Sequence, residues 1–459
     1  MASGLIIPGV QVTVVKEVLP QQLAPSGVLG LIGFTEENPG KTVRAGNWSR
    51  FVEVLGRASA YSLPEAKQAL DNGVSELVIS PLPAGTGATA KVSIAGDTTR
   101  AKDNKDGVSL LARAAGPWAN GLTVKIAYRN NVDARISFDL QVLRKRADKD
   151  DVLETHRNQD LKSLAATLKA ASAYVKVDES KPLGWPAAGE ASLDGGKDAS
   201  ADDYAAALRR LRDEPDVDMV IAALRDFSDP AKVTRVYGEV ISHCNNLSDE
   251  CKGRIGLGQV PPPELGGPDT QVQLASNLVS DRFVMVAPHG VVGAVAGLVG
   301  NLPYFHSPTF KRVSGLSELP SLAVEDQKAL LKGNVVPVVL ERGRGTIVLR
   351  GLTTDGDQIN VRRVADRAVR TLKMVSDLFI GLLNNADGRN ALKQKLTEAL
   401  VQMQKDGAIV PSTDGKDPAF KVEVYSSQAD FALGIVRVNM AVRPVRAIDY
   451  IYATITVQV

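Results

Sequence analysis

Four histidines, His156, His243, His289 and His306, are the residues best suited to proton transfer near neutral pH. A serine hydrolase would need one of them as general base beside a nucleophile, yet none lies in a hydrolase signature and no Gly-x-Ser-x-Gly elbow occurs. His289, within Ala-Pro-His-Gly, reads as a turn or interface residue. A second decoy is ENPGKTV, where Gly40, Lys41 and Thr42 imitate the end of a phosphate-binding loop. That loop needs a glycine five positions before Gly40 so that its backbone can wrap phosphates, and Thr35 stands there. Pro39 also removes an N–H donor, so the segment reads as a surface loop. Cys244 and Cys251 lie close to His243, but no second Cys/His pair completes a zinc site, and they read as two reduced thiols. HExxH, paired Cys-x-x-Cys and acidic calcium loops do not occur. The expectation is therefore no catalytic, metal or cofactor residues, and no enzyme.

The remaining chemistry must come from how the elements are joined. At 459 residues the chain favours two or three domains, and 44% hydrophobic with 23% charged residues is ordinary globular composition. A formal charge of +2 is too near neutrality to make nucleic acid the main partner. The start, MASGLIIPGVQ, lacks the basic flank and apolar run of a signal peptide, which predicts synthesis in the cytosol. The longest apolar stretch, Gly290 to Leu302, is too short to span a bilayer and reads as a buried helix, so membrane insertion is not expected.

Val10, Val12 and Val14 alternate with Gln11, Thr13 and Val15 between Pro8 and Pro20, giving a short extended arm. Val28 to Phe34 reads as a buried strand, Leu63 to Leu70 as a helix opened by Pro64, and Leu77 to Ser80 as a second strand. From Pro81 to Gly189 short alternating runs, such as Leu122 to Tyr128 and Ile136 to Leu143, predict a mostly β insertion. Helix and strand then alternate: Tyr204 to Leu211, Met219 to Ala223, Val233 to Cys244, Arg254 to Leu257, Phe283 to Ala287. That order implies a doubly wound parallel sheet.

In the final hundred residues Val361, Val364, Ala365, Ala368, Leu372, Val375 and Phe379 share one side of a helix. Arg362, Arg363, Arg367, Arg370 and Lys373 share the other, which predicts a cationic outer face. A second helix carries Leu392, Leu396, Leu400 and Met403 and stops at Gly407, where a left-handed cap is expected. Val436, Val438, Met440 and Val442 alternate in a strand, and beyond Pro444 the parity of the apolar set reverses, so the chain must break there. Ile451, Ala453, Ile455, Val457 and Val459 then form one face of a terminal strand.

At this point the sequence resembles the tail sheath proteins of contractile phages and related contractile injection systems. IIPGVQVTVVKEV followed by GVLGLIGFTEENPG resembles the family's N-terminal arm and first core strand. ARAAGPWANGLTVKIA is similar to its Gly-x-Trp-Gly-Asn-x-Leu-x-Val turn and strand, with Ala119 where glycine is usual. LDGGKDA, DDYAAALRRL, VDMVIAAL and VMVAPHGVVGAVAG follow in the family's order. The stretch from RGLTTDG through INVRRVADRAVRTLKMVSDLFIGLLN and DGAIV to VRPVRAIDYIYATITVQV carries the strongest likeness.

The resemblance implies an α/β chain, α+β overall. Its doubly wound, subtilisin-like core spans 23–80 and 190–345, with a β-rich outer insertion at 81–189. A C-terminal inner domain at 346–443 lies between an N-terminal arm, 1–22, and a C-terminal arm, 444–459. It implies a helical homo-oligomer around an inner tube protein, with baseplate and terminator proteins as further partners. Its setting would be a virion tail sheath assembled in the host cytoplasm, or a cytoplasmic injection particle. Val10, Val12, Val14, Ile451, Ala453, Ile455, Val457 and Val459 would pair with neighbouring subunits, because detached strands leave N–H and C=O groups in need of a sheet edge. The cationic helix would dock on the tube. The competing reading is a monomeric α/β hydrolase or binding protein whose terminal strands complete its own sheet.

Overall fold

The structure, a computed structural model, describes residues 26–98, 106–128, 137–146, 150–316 and 319–453. Val10, Val12, Val14, Ile455, Val457 and Val459 lie outside the described residues.

Val28–Gly33 is apolar at every position but its glycines and is buried at all of them, as a strand covered on both faces must be. It pairs in parallel with Glu76–Pro81 on one side and Met219–Ala222 on the other. Beyond Met219–Ala222 follow Ile255–Gln259, Phe283–Ala287 and Val335–Glu341, all parallel. Antiparallel strands close the edges, Val43–Ala45 at one and Gly345–Val348 at the other, giving eight strands in all. The expected parallel sheet is present. The limit drawn between 345 and 346 falls inside its last strand, because Gly345–Val348 completes the core sheet.

Two hydrophobic clusters sandwich this sheet. Local signals fix the helices that supply them. Asn47 caps Trp48–Leu55, Ser200 and Asp203 form a capping box on Ala201–Leu211, and Asp229 caps Pro230–Asp249 with Pro230 at the first position. Each such cap contributes about 1 kcal/mol. The expected buried helix is Val292–Asn301, and its small residues have a packing cause. A Cβ on Gly297 would lie 2.5 Å from the Ala69 carbonyl oxygen, so glycine lets this helix close on Glu65–Asp71.

Between Pro81 and Ala201 two further sheets enclose a cluster of their own. One joins Lys91–Ile94, Val108–Ala112 and Val175–Val177, and the other Gly189–Ser192, Leu122–Tyr128, Phe138–Arg144 and Asp151–Gln159. The helix Leu164–Ala171 is an exception to the β-rich expectation; Leu164 and Leu168, one turn apart, are its buried face. The unit is fastened to the core by the Tyr61–Tyr174 ring stack, centroids 4.3 Å apart, and by Arg113, which donates to Glu36 Oε1 at 2.6 Å. Asn120 both accepts from Gly196 N and donates to its carbonyl oxygen, tying the turn after Trp118 to the turn at Gly195 and Gly196.

The C-terminal layer holds the helix Ile359–Asp377, the helix Ala386–Lys405, and a hairpin of Phe420–Tyr425 with Arg437–Val442. Gly407 adopts φ +80° after the second helix, as its position required. At Pro444 the chain leaves the hairpin, and Val445 N donates to the Ala408 carbonyl.

Candidate functional site

The helix Ile359–Asp377 is where the structure departs furthest from the sequence reading, and it is also the centre of the site. Its arginines do not form an outer cationic face. Arg362 donates to Asp281 and Asp366 at 2.8 and 2.9 Å. Arg363 is 7% exposed. Arg367 lies over the Tyr304 ring, 5.6 Å from its centroid. Arg370 donates to the carbonyls of Pro215, Val217 and Gly253. Lys373 alone of the five is exposed, and it pairs with Asp377 one turn on.

The cause lies in the α/β core. Helices of such a sheet run back from the carboxyl edge, so their C-terminal carbonyls gather at the amino edge and carry partial negative charge. Ala201–Leu211 and Pro230–Asp249 both end there. Arg254 donates to the Leu211 and Glu214 carbonyls, and Arg282 makes a two-pronged bond to Asp366 at 2.9 and 3.0 Å. The arginine side of Ile359–Asp377 closes this seam, while Val364 and Ala368 pack on Leu400 and Met403. Both faces of the helix are therefore covered.

The same helix fixes the chain beyond Pro444. Gln358, which precedes it, donates to the Ala447 carbonyl at 3.0 Å and to Asp449 Oδ2 at 2.8 Å, and accepts from Ala447 N at 2.8 Å. Asn360 donates to the Val445 carbonyl at 3.0 Å. Arg350 Nε donates to Asp449 Oδ2 at 2.8 Å, and its guanidinium lies over the Tyr450 ring. The Asp449 side chain is thus buried and doubly held, whereas Ile451 and Tyr452, two and three residues on, are 84% and 94% exposed. Residues 451–453, with Ala453 among them, are exposed and in no strand of this subunit.

Near Ser26 the other end is fixed too. Gly27 N donates to Asp218 Oδ2 at 2.6 Å, and its carbonyl accepts from Ser75 N and Oγ. Asp218 Oδ1 lies 3.4 Å from Arg370. From Gln358 to Arg370 is about 18 Å of helix, at about 1.5 Å per residue, so one rigid element carries both roots.

The other residues singled out for chemistry are structurally engaged. His156 Nε2 meets Glu154 Oε2 at 3.1 Å, and Ser172 Oγ donates to that same oxygen at 2.6 Å. The acid sits between serine and histidine, so the imidazole does not face the hydroxyl as a general base must. His243 accepts from buried Arg254, and burial beside that cation pushes its pKa down to about 3. His289 Nδ1 donates to the Val260 carbonyl. Thr42 Oγ1 donates to Glu214 at 2.7 Å, and a strand rather than a helix follows Lys41. Burial pushes the Cys244 thiol up to about 12. Among the described residues no group of three or more His, Cys, Asp or Glu side chains is placed to hold a metal. No helix among them is long and apolar enough to cross a membrane.

The crevice where open α/β sheets take ligands, outside the carboxyl ends of Val28–Gly33 and Met219–Ala222, is filled. Phe34 lies so close beneath Gly87 and Gly116 that a Cβ on either would be 2.7 Å from its ring. Arg225 pairs with Glu65 beside it, and the fully buried carboxylate of Asp198 pairs with Lys232 and accepts from Tyr204. Asp449, Arg350, Gln358 and the Arg282–Asp366 pair were missed by sequence reasoning. The acid in Ile448–Asp449–Tyr450–Ile451 was the available signal, being the one charge in a run of large apolar and aromatic residues.

This fold is shared with solved contractile sheath proteins. Aligned over 93% of both chains, a sheath tail protein from Listeria innocua has a TM-score of 0.52 at 17% identity. The contracted helical sheath of the anti-feeding prophage gives 0.55 at 14% identity, over 98% of this chain and 99% of that one. The contracted sheath complex of an extracellular contractile injection system, PVC, gives 0.56 at 12% identity, over 99% and 98%. No curated protein matches the chain in sequence. Residues 353–458, which hold the arginine helix, the hairpin and Asp449, match the family described as phage tail sheath C-terminal domain.

Proposed function

We propose that this chain is the structural subunit of a contractile sheath, polymerising helically around an inner tube and shortening to drive the tube through a target envelope. One observation carries the reading: the chain is pinned at Asp449 and then presents Ile451 and Tyr452 to solvent, although both belong to an apolar, strand-forming run. Such a segment is stable when its backbone and apolar face are taken up by another chain. A suitable acceptor exists on the same layer. The hairpin Phe420–Tyr425 with Arg437–Val442 has two strands only, so among the described residues each presents one unpaired edge. The arms at 1–22 and 444–459, with the apolar positions of Val10 to Val14 and Ile451 to Val459, are the strands we assign to neighbours' edges.

Head-to-tail joining of this kind propagates as a helix when the rotation does not close. Extended arms on pinned roots would let bodies rotate past one another while remaining linked, and shortening would draw on new interfaces between subunits rather than on bond cleavage. The subtilisin-like character of the core, the domain limits at 22, 80, 189 and 443, the inner-tube, baseplate and terminator partners, and assembly in a cytoplasm all belong to this proposal. Tube docking through Arg362, Arg363, Arg367 and Arg370 does not, because the seam consumes them.

Negative-stain microscopy of the purified full chain, alone and with its tube protein, tests the reading. Hollow or filled helical tubes are expected. Discrete compact particles at every concentration and in native assemblies would instead support a self-contained monomer.

A further inference from the structure

We infer that a small cavity beside the root of the N-terminal segment is a binding site for a compact monovalent anion of halide size. The cavity, of about 30 Å³, is lined by the charged side chains of Arg363, Arg367, Arg370, Asp218 and Asp366, together with Ser26 and Tyr304. Arg363 is the decisive wall. It is 7% exposed, its Nη1 reaches only the Leu302 carbonyl at 3.4 Å, and its Nη2 has no hydrogen-bond partner among the described residues.

The nearby carboxylates are already committed. Asp218 Oδ2 accepts from Gly27 N and Oδ1 faces Arg370, while Asp366 is held by Arg282 and Arg362. Three guanidinium groups and two carboxylates thus line the cavity, and neither carboxylate forms a salt bridge with Arg363 among the described residues. Burial lowers the Arg363 pKa only to about 10, so the group remains charged at neutral pH. Asp218 offsets part of the Arg363 charge across the cavity, but Arg363 makes no salt bridge among the described residues, and a buried charged group left without its hydrogen bond is costly. Water satisfies the N–H but leaves the charge, whereas an anion answers both.

Size narrows the ligand. A cavity of roughly 10–15 Å³ on this measure takes one water molecule, so this one admits a halide and excludes phosphate, sulfate and nucleotides. The inference stands apart from the sheath reading, since it concerns the charge balance of one subunit. Its consequence is local: an anion between Arg363 and Arg370 would offset the cationic excess beside Asp218, whose Oδ2 holds Gly27 N at the N-terminal root.

The test uses the full chain, exchanged into chloride-free buffer with gluconate as the bulky counter-ion. Bromide is then titrated while the melting temperature is followed. A saturable rise is expected, absent in R363M. A rise that is linear, matched by gluconate, or equal in R363M overturns the site. Should R363M fail to fold, diffraction from wild-type crystals grown in bromide decides the matter. An anomalous peak in contact with Arg363 Nη2 supports the proposal, and a cavity holding water or a protein carboxylate with no such peak removes it.

Discussion

Arg350 Nε and Asp449 Oδ2, 2.8 Å apart, join the rim of the core sheet to the last residue but one before the chain turns wholly to solvent. The Asp449 side chain is 6% exposed and also accepts from Gln358, so the contact defines a fixed origin for the residues that follow. D449A should fold, losing about 1–3 kcal/mol for the charged hydrogen bonds, yet assemble poorly because the arm no longer starts from a set point. Urea unfolding and microscopy on one preparation check both halves. Normal tubes from D449A would show that the root is dispensable.

Removing residues 452–459 gives a complementary expectation. The melting temperature of the isolated subunit should stay close to that of wild type, because Tyr452 is almost wholly exposed, and tubes should be lost. A large fall in melting temperature would mean that the segment completes its own subunit's fold.

The Arg282–Asp366 pair is the most heavily buried two-pronged bond in the seam, with side chains 5% and 10% exposed. D366A should cost about 3–5 kcal/mol, as removal of one partner from a buried ion pair does. Equilibrium denaturation measures this; a cost below about 1 kcal/mol would show that the seam contributes little.

His243 makes stability depend on pH with a definite sign. Its folded pKa, about 3, lies below the unfolded value near 6.5, so below pH 6.5 the unfolded chain binds the proton first. This stabilisation is complete above about pH 6.5 and is lost as pH falls towards 3, by up to about 1.4 kcal/mol per unit. His289, whose pKa burial also lowers, acts in the same direction. H243Q should flatten the stability profile between about pH 6 and 4, and an unchanged slope would refute the assignment.

Gly27 sits at φ +111°, and a Cβ there would lie 2.3 Å from the Gly300 carbonyl oxygen. G27A should destabilise the subunit by more than about 1 kcal/mol, through both backbone strain and the clash. A melting temperature equal to wild type would show that the N-terminal root relaxes freely.

Much of the fold was legible because its cues are local. Val28–Gly33 and Phe283–Ala287 are apolar runs that only a two-sided sheet buries, and the Gly407 cap follows from where Met403 ends an apolar stripe. The alternation of Val10 to Val14 and of Ile451 to Val459 is a cue of the same local kind, on which the proposed arms rest, and the break at Pro444, where the chain leaves the hairpin, was legible as a reversal of parity. These periodicities are properties of a single segment.

Direction was not legible. Arg362, Arg363, Arg367 and Arg370 show the same helical spacing whether they meet water or a partner, and the partner here is assembled from the carbonyls of Pro215, Val217 and Gly253 with Asp281 and Asp366. Those groups reach the helix only after the parallel sheet has brought its helix ends to one edge. Amphipathicity thus set which residues share a face, and tertiary packing set what that face touches. The same holds at the chain end: the sequence specified a strand-forming segment, while the distant pairing of Asp449 with Arg350 and Gln358 decided where it leaves the body.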